Sequence, residues 1–149
     1  MAIAQCMCSS FKKEILQGVH AFGTSVVRAS TGADTFKIAL YTSTATLNED
    51  TTVYSSTNEV ANGNGYTTGG ATLTLVAPAL DGATAVLDFA DVTWPDSTIT
   101  ARAALIYNSS QGNKAVAVLD FGADKSSSSS PFLVTFPSAA STTSILRIA

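Results

Sequence analysis

Charge is the first scarcity. Only 13% of the 149 residues are Asp, Glu, Lys or Arg, about half the usual share in soluble domains. Long solvated helices and coiled coils are thereby excluded. With 46% of residues hydrophobic, the chain is also not of the charge-rich, apolar-poor kind that stays disordered. A formal net charge of -3 and scattered basic residues give no footprint for nucleic acid, whose phosphates are met by clustered Lys and Arg. No apolar run approaches the ~20 residues that span a bilayer. The start, MAIAQCMCSS, lacks the basic region and long apolar stretch of a secretory signal. These absences predict a soluble chain made in a cytoplasm, with neither nucleic acid nor membrane as a partner.

Reactive side chains are equally scarce. Cys6 and Cys8 are the only cysteines, too close in sequence to staple a fold. A structural zinc site would need a second ligand pair, so they read as inert thiols. His20 is the only histidine, and no nucleophile-elbow sequence offers it a serine. The carboxylate pairs Asp88 with Asp91 and Asp120 with Asp124 fall at strand ends, where Asp more often stabilises turns than catalyses. NGNGYTTGG at 62–70 looks like a phosphate loop, but it has no Lys at the required place and leads into a strand. Its glycines read instead as turn positions around Tyr66. The expectation is no enzyme, no catalytic residue, no cofactor and no metal.

What the chain does have is hydroxyl groups and alternation. Ser and Thr make up roughly a quarter of it, well above ordinary usage. Phe11, Ile15, Val19 and Phe22 recur at helical spacing, predicting an amphipathic helix over 11–22, capped by Ser9 or Ser10 and ended at Gly23. From residue 35 the period becomes two. FKIALYT at 36–42, ATLTLV at 71–76 and AVLDFA at 85–90 alternate as half-buried strands do, and further strands are expected at 92–94, 98–107, 115–121, 132–136 and 145–148. Short strands at near-regular spacing predict one all-β domain, an antiparallel β-sandwich of jelly-roll or Ig-like kind with one short N-terminal α-helix. Residues 1–34 form the arm and helix, 35–149 the sandwich. Two segments break the pattern: the polar stretch 42–70, and KSSSSSP at 125–131, read as a flexible connection.

Taken together, FKIALYT, NEVANGNGYTTGGATL at 58–73, LDFADVTWPDSTITARAALIYN at 87–108, AVAVLDFGADKSSSSSPFLVTFP at 115–137 and the closing ILRIA resemble small virion structural proteins of tailed bacteriophages. The resemblance covers most of the chain. It implies a part of the virus particle and not an enzyme: a head decoration, or cement, protein on the outer capsid, with the major capsid protein or another virion protein as partner. A tail-associated or fibre-attachment protein, with a receptor or glycan bound through Trp94 or Tyr66, is the alternative. A homo-oligomer, a trimer first, would pair strand edges otherwise open to aggregation. The expected contact residues are Phe11, Ile15, Val19 and Phe22, then Tyr66 and Trp94, since apolar faces and aromatics are favoured where interfaces pack.

Overall fold

The computed structural model describes residues 2–16, 18–22 and 32–149. They form an antiparallel β-sandwich with one short helix, as the alternation predicts. In chain order the elements are β1 (Cys6–Met7), α1 (Ser9–Leu16), β2 (Phe36–Tyr41), β3 (Ala71–Thr72), β4 (Leu75–Asp81), β5 (Thr84–Phe89), β6 (Val92–Ser97), β7 (Thr100–Asn108), β8 (Lys114–Ser126), β9 (Ser130–Val134) and β10 (Leu146–Ile148). One layer is a five-stranded sheet in the order β1-β8-β7-β2-β3. Facing it are the three-stranded sheet β10-β5-β4 and the two-stranded sheet β6-β9.

The period of two explains the core. Phe36, Ile38 and Leu40 share one face of β2, and Phe36 meets Phe89 of β5 at a ring separation of 6.0 Å. Each such side chain, fully buried, contributes ~1.5–3 kcal/mol relative to exposure. The opposite face of β2, Ala39 and Tyr41, is buried as well, because residues 42–70 fold back over it. That covering lets β2 bury side chains on both faces, with Lys37 alone left half-exposed.

The ATLTLV segment is split in two. Ala71–Thr72 pairs with β2, but Leu75 onward pairs with β5, so the chain changes sheets at residues 73–74. Leu73 N–H reaches Phe36 O and Ala90 N–H reaches Thr74 O, both at 2.9 Å, one bond to each layer. Leu73 points inward and Thr72 and Thr74 outward, as expected.

Three expectations are corrected. The helix is shorter than 11–22 and ends before Gly18, which takes φ +67°. Val19 N–H bonds Glu14 O and Gly18 N–H bonds Ile15 O, each at 3.0 Å, the paired bonds of a Schellman ending. Val19 and Phe22 therefore lie beyond the helix, and Gly23 lies outside the described residues. Nor does either serine cap its start. Cys8 supplies the first helical carbonyl, to Lys12 N–H, while the buried Ser10 hydroxyl finds no partner.

The serine tract is the third correction. Lys125 and Ser126 close β8 and Ser130 opens β9, leaving a tight turn in place of a flexible link. Ser127 is buried, accepts Ile99 N–H at 3.2 Å and bonds Ser97 Oγ at 2.8 Å. Serine hydroxyls here bond backbone and one another, which orders a sequence that reads as linker by composition alone.

The arm before the helix belongs to the sandwich. β1 adds an edge strand beside β8, and Ala4 N–H donates to Leu47 O at 2.9 Å.

Candidate functional site

Two networks of buried and half-buried polar side chains stand out among the described residues. The first gathers around Glu59. Beyond the short β3, Leu40 N–H has no strand to bond and instead donates to the Tyr66 hydroxyl at 2.9 Å. That hydroxyl donates to Glu59 Oε1 at 2.6 Å. Gly69 N–H also reaches Oε1, at 2.7 Å, and Tyr54 Oη donates to Oε2 at 2.7 Å. Tyr107 closes the group by donating to Gly69 O at 2.7 Å and stacking on Tyr54 at 4.6 Å. Burial first, then the Glu59 carboxylate, pushes Tyr66 and Tyr54 well above the ordinary phenol value. Both hydroxyls stay protonated and donate. Charge-assisted bonds of this kind are worth ~1.5–3 kcal/mol each, so the network holds loop 58–70 as an edge seal on β2.

The second network ties the N-terminal segment down. His20 Nε2 lies 2.8 Å from Glu14 Oε2. Asn108 Nδ2 lies 3.0 Å from His20 Nδ1 and 2.8 Å from Asp34 Oδ2. An amide nitrogen can only donate, so Nδ1 accepts and the proton sits on Nε2, toward Glu14. Lys114 Nζ reaches the other Glu14 oxygen at 3.0 Å. Burial works to raise the Glu14 pKa, but the hydrogen bonds from His20 and Lys114 and the Lys114 charge prevail and hold it below the ordinary carboxylate value. The imidazole sits at ring separations of 4.8 Å from Phe11 and 6.3 Å from Phe36. Both of its nitrogens are engaged in these bonds.

Of the two carboxylate pairs, three members make structural bonds. Asp88 Oδ1 accepts its neighbour's N–H at Phe89, Asp91 accepts Phe136 N–H at 2.8 Å, and Asp120 pairs with Arg102 at 3.3 Å. Asp124 lies exposed on β8. Among the described residues no group of His, Cys, Asp and Glu is arranged to hold a metal. Burial raises the Cys8 thiol to about 12, leaving it protonated and unreactive.

The six expected contact residues divide by location. Tyr66 and Trp94, 2% and 6% exposed, lie against each other at 5.9 Å. They join the β2 edge to the β6-β9 sheet and are closed to a partner. Phe11 is fully buried. Val19 is half-buried just past the helix end. Ile15 and Phe22, also half-buried, converge with the Phe11 floor on one apolar cleft of 160 Å³, completed by Pro78, Leu146 and Ile148.

That cleft opens beside the feature sequence reading missed. Strand β4 continues through VAPAL, and nearly all of it is exposed. Leu80 at the hairpin tip is 75% exposed, Val76 41% and neighbouring Ile148 57%. Residues 75–80 carry no charge. Pro78, lacking an N–H, sits in the irregular register between Val76 and Ala79, the position at which proline is tolerated in an edge strand. The available signal was the DG dipeptide at Asp81-Gly82 following an apolar run, a hairpin mark.

No family model, curated protein or solved structure matches the chain.

Proposed function

We propose that this chain is a non-enzymatic virion structural protein of a tailed bacteriophage, a decoration or cement protein that binds the outer capsid and stabilises the head. Two supports come from different directions. The sequence phrases resemble such proteins along most of the chain, and the fold leaves the uncharged apolar stretch 75–80 of the β4–β5 hairpin open beside an apolar cleft. The hairpin carries the reading. An apolar surface of this kind on a soluble domain marks a protein contact or an aggregation hazard. Here it projects from a sandwich whose buried polar groups are largely paired internally. In a symmetric shell, many copies each adding a modest contact sum to a large stabilisation.

The partner is the major capsid protein or another virion protein, with copies of the chain associating as a homo-oligomer, a trimer first. Assembly in the host cytoplasm would precede residence in the virion. Carbohydrate stacking on Trp94 or Tyr66, one version of the tail-associated alternative, loses its footing because both rings are buried.

The test uses capsids lacking the protein. Purified chain should bind them and raise their melting temperature, since any ligand selective for the assembled state stabilises it. Leu80→Asp, at a site too exposed to disturb the fold, should weaken binding at least about tenfold. Absence of binding near saturation, or a Leu80→Asp variant that binds as well as the parent, overturns the reading.

A further inference from the structure

The covering segment between β2 and β3 also encloses a space of its own. Residues 41–58 surround an open cleft of 470 Å³, a volume within the several-hundred-Å³ range of small-ligand sites. Tyr41, Ala45 and Leu47 form its buried floor.

The walls are fixed from three sides before any ligand arrives. Leu47 N–H donates to Ala2 O at 3.0 Å and Leu47 O accepts Ala4 N–H, holding one wall to the N-terminal arm. Ala115 N–H donates to Thr52 O at 3.0 Å and Tyr54 N–H to Asn113 O at 2.9 Å, holding the opposite wall to β8 and its turn. Thr42 N–H bonds Asn58 O at 3.0 Å, and Tyr41 Oη donates to Ser55 O at 2.6 Å. A site assembled in advance loses little affinity to ordering its loops.

The lining chemistry selects the ligand class. It contains no Lys, Arg or His. An anion would meet the Asp50 carboxylate with no opposing cation. A bound metal ion would find a single carboxylate, and no group of His, Cys, Asp and Glu among the described residues is arranged to hold one. A wholly apolar ligand would strip water from the hydroxyls of Thr46 and Thr52 without replacing its bonds.

Asp50 has its backbone N–H held by Asn48 Oδ1 at 2.9 Å, while its carboxylate accepts no hydrogen bond among the described residues. Val53, 47% exposed, offers an apolar patch on the same lining. A carboxylate for adjacent hydroxyls, further hydroxyl and amide groups, and one apolar patch match the alternating O–H and C–H surface of a sugar. We propose that this cleft binds a short neutral saccharide, with Asp50 as the principal acceptor. The inference rests on the cleft alone and is independent of where the chain sits in a particle.

The test is an NMR titration of the full chain with maltose, cellobiose and lactose. Sialyllactose serves as the anionic arm and glycerol as the non-specific polyol. At least one neutral disaccharide should shift resonances of residues 46–58 selectively, with a Kd on the order of 1 mM as befits an open site. Asp50→Ala and, separately, Thr52→Val should weaken that binding by about fivefold or more with the rest of the spectrum unchanged. The proposal is overturned by any of four results: no neutral sugar shifting these resonances at about 50 Kd-equivalents of a millimolar site, shifts scattered over the molecule, glycerol or sialyllactose acting equally well, or affinity indifferent to both substitutions.

Discussion

The Tyr66 hydroxyl is engaged twice, accepting Leu40 N–H and donating to Glu59. Removing it leaves a buried amide without an acceptor and a carboxylate short of a donor, each costing ~1–3 kcal/mol. Tyr66→Phe should therefore lower unfolding free energy by about 2–4 kcal/mol, and Tyr54→Phe, at the half-buried rim, by less than half of that. Urea unfolding of both variants measures the difference, and equal losses would contradict the edge-sealing role of Tyr66. The phenols also give a pH signature. All four tyrosines are raised above the ordinary 10.0, Tyr107 to about 12 and the other three further still, with burial the largest cause in each. A folded pKa above the unfolded one stabilises fully below about pH 10 and loses that contribution as pH climbs toward the folded value. Native protein at about pH 11 should show little phenolate absorbance, whereas the urea-unfolded chain at the same pH should be mostly ionised.

At the scale of elements, the close approach of loop to strand depends on glycine. Gly70 takes φ +72°, and a Cβ there would collide with the Ile38 carbonyl. Gly70→Ala should cost at least about 3 kcal/mol, combining left-handed strain with the displacement of β3 from β2. Thermal unfolding reads this directly, and a loss below about 1 kcal/mol would mean that the loop is not packed against β2 as described. The strands themselves are legible in sequence because alternation is a local property: FKIALYT and AVLDFA show their buried faces residue by residue. What decides the sheet change at residues 73–74 is pairing with distant partners, so ATLTLV reads as one strand. The helix end at Gly18 was readable as a left-handed cap, but the apolar spacing of Val19 and Phe22 carried the pattern past it. KSSSSSP misleads for the converse reason. Its order comes from hydroxyl bonds to Ile99 and Ser97, residues remote in sequence. Of the expected contact residues, Tyr66 and Trp94 are aromatic because they fill a seam between sheets; Trp94, followed by Pro95 at a strand end, already reads in the sequence as a core aromatic, and it is buried. The β4 hairpin escaped notice because VAPAL does not alternate.

For the whole molecule, low charge and abundant hydroxyls become specific. The buried Glu14 and half-buried Glu59 are consumed by internal networks, and outward positions carry threonine, as at Thr72 on β3 and Thr74 at the sheet change. Over the described residues the result is a wettable exterior of weak field, interrupted by exposed apolar side chains, Leu80 on the β4–β5 hairpin foremost, with Leu133, Ile148 and Val53 after it. Such a surface suits a protein packed among neutral or identical neighbours, where like-charge repulsion between copies would oppose assembly. On the proposed decoration role, the decisive measurement is cryo-electron microscopy of particles assembled with this chain. A decoration role predicts sandwich density repeated over the outer head surface with the β4–β5 hairpin turned toward the capsid. Density confined to the tail, or heads bearing the chain with that hairpin facing solvent, would contradict it.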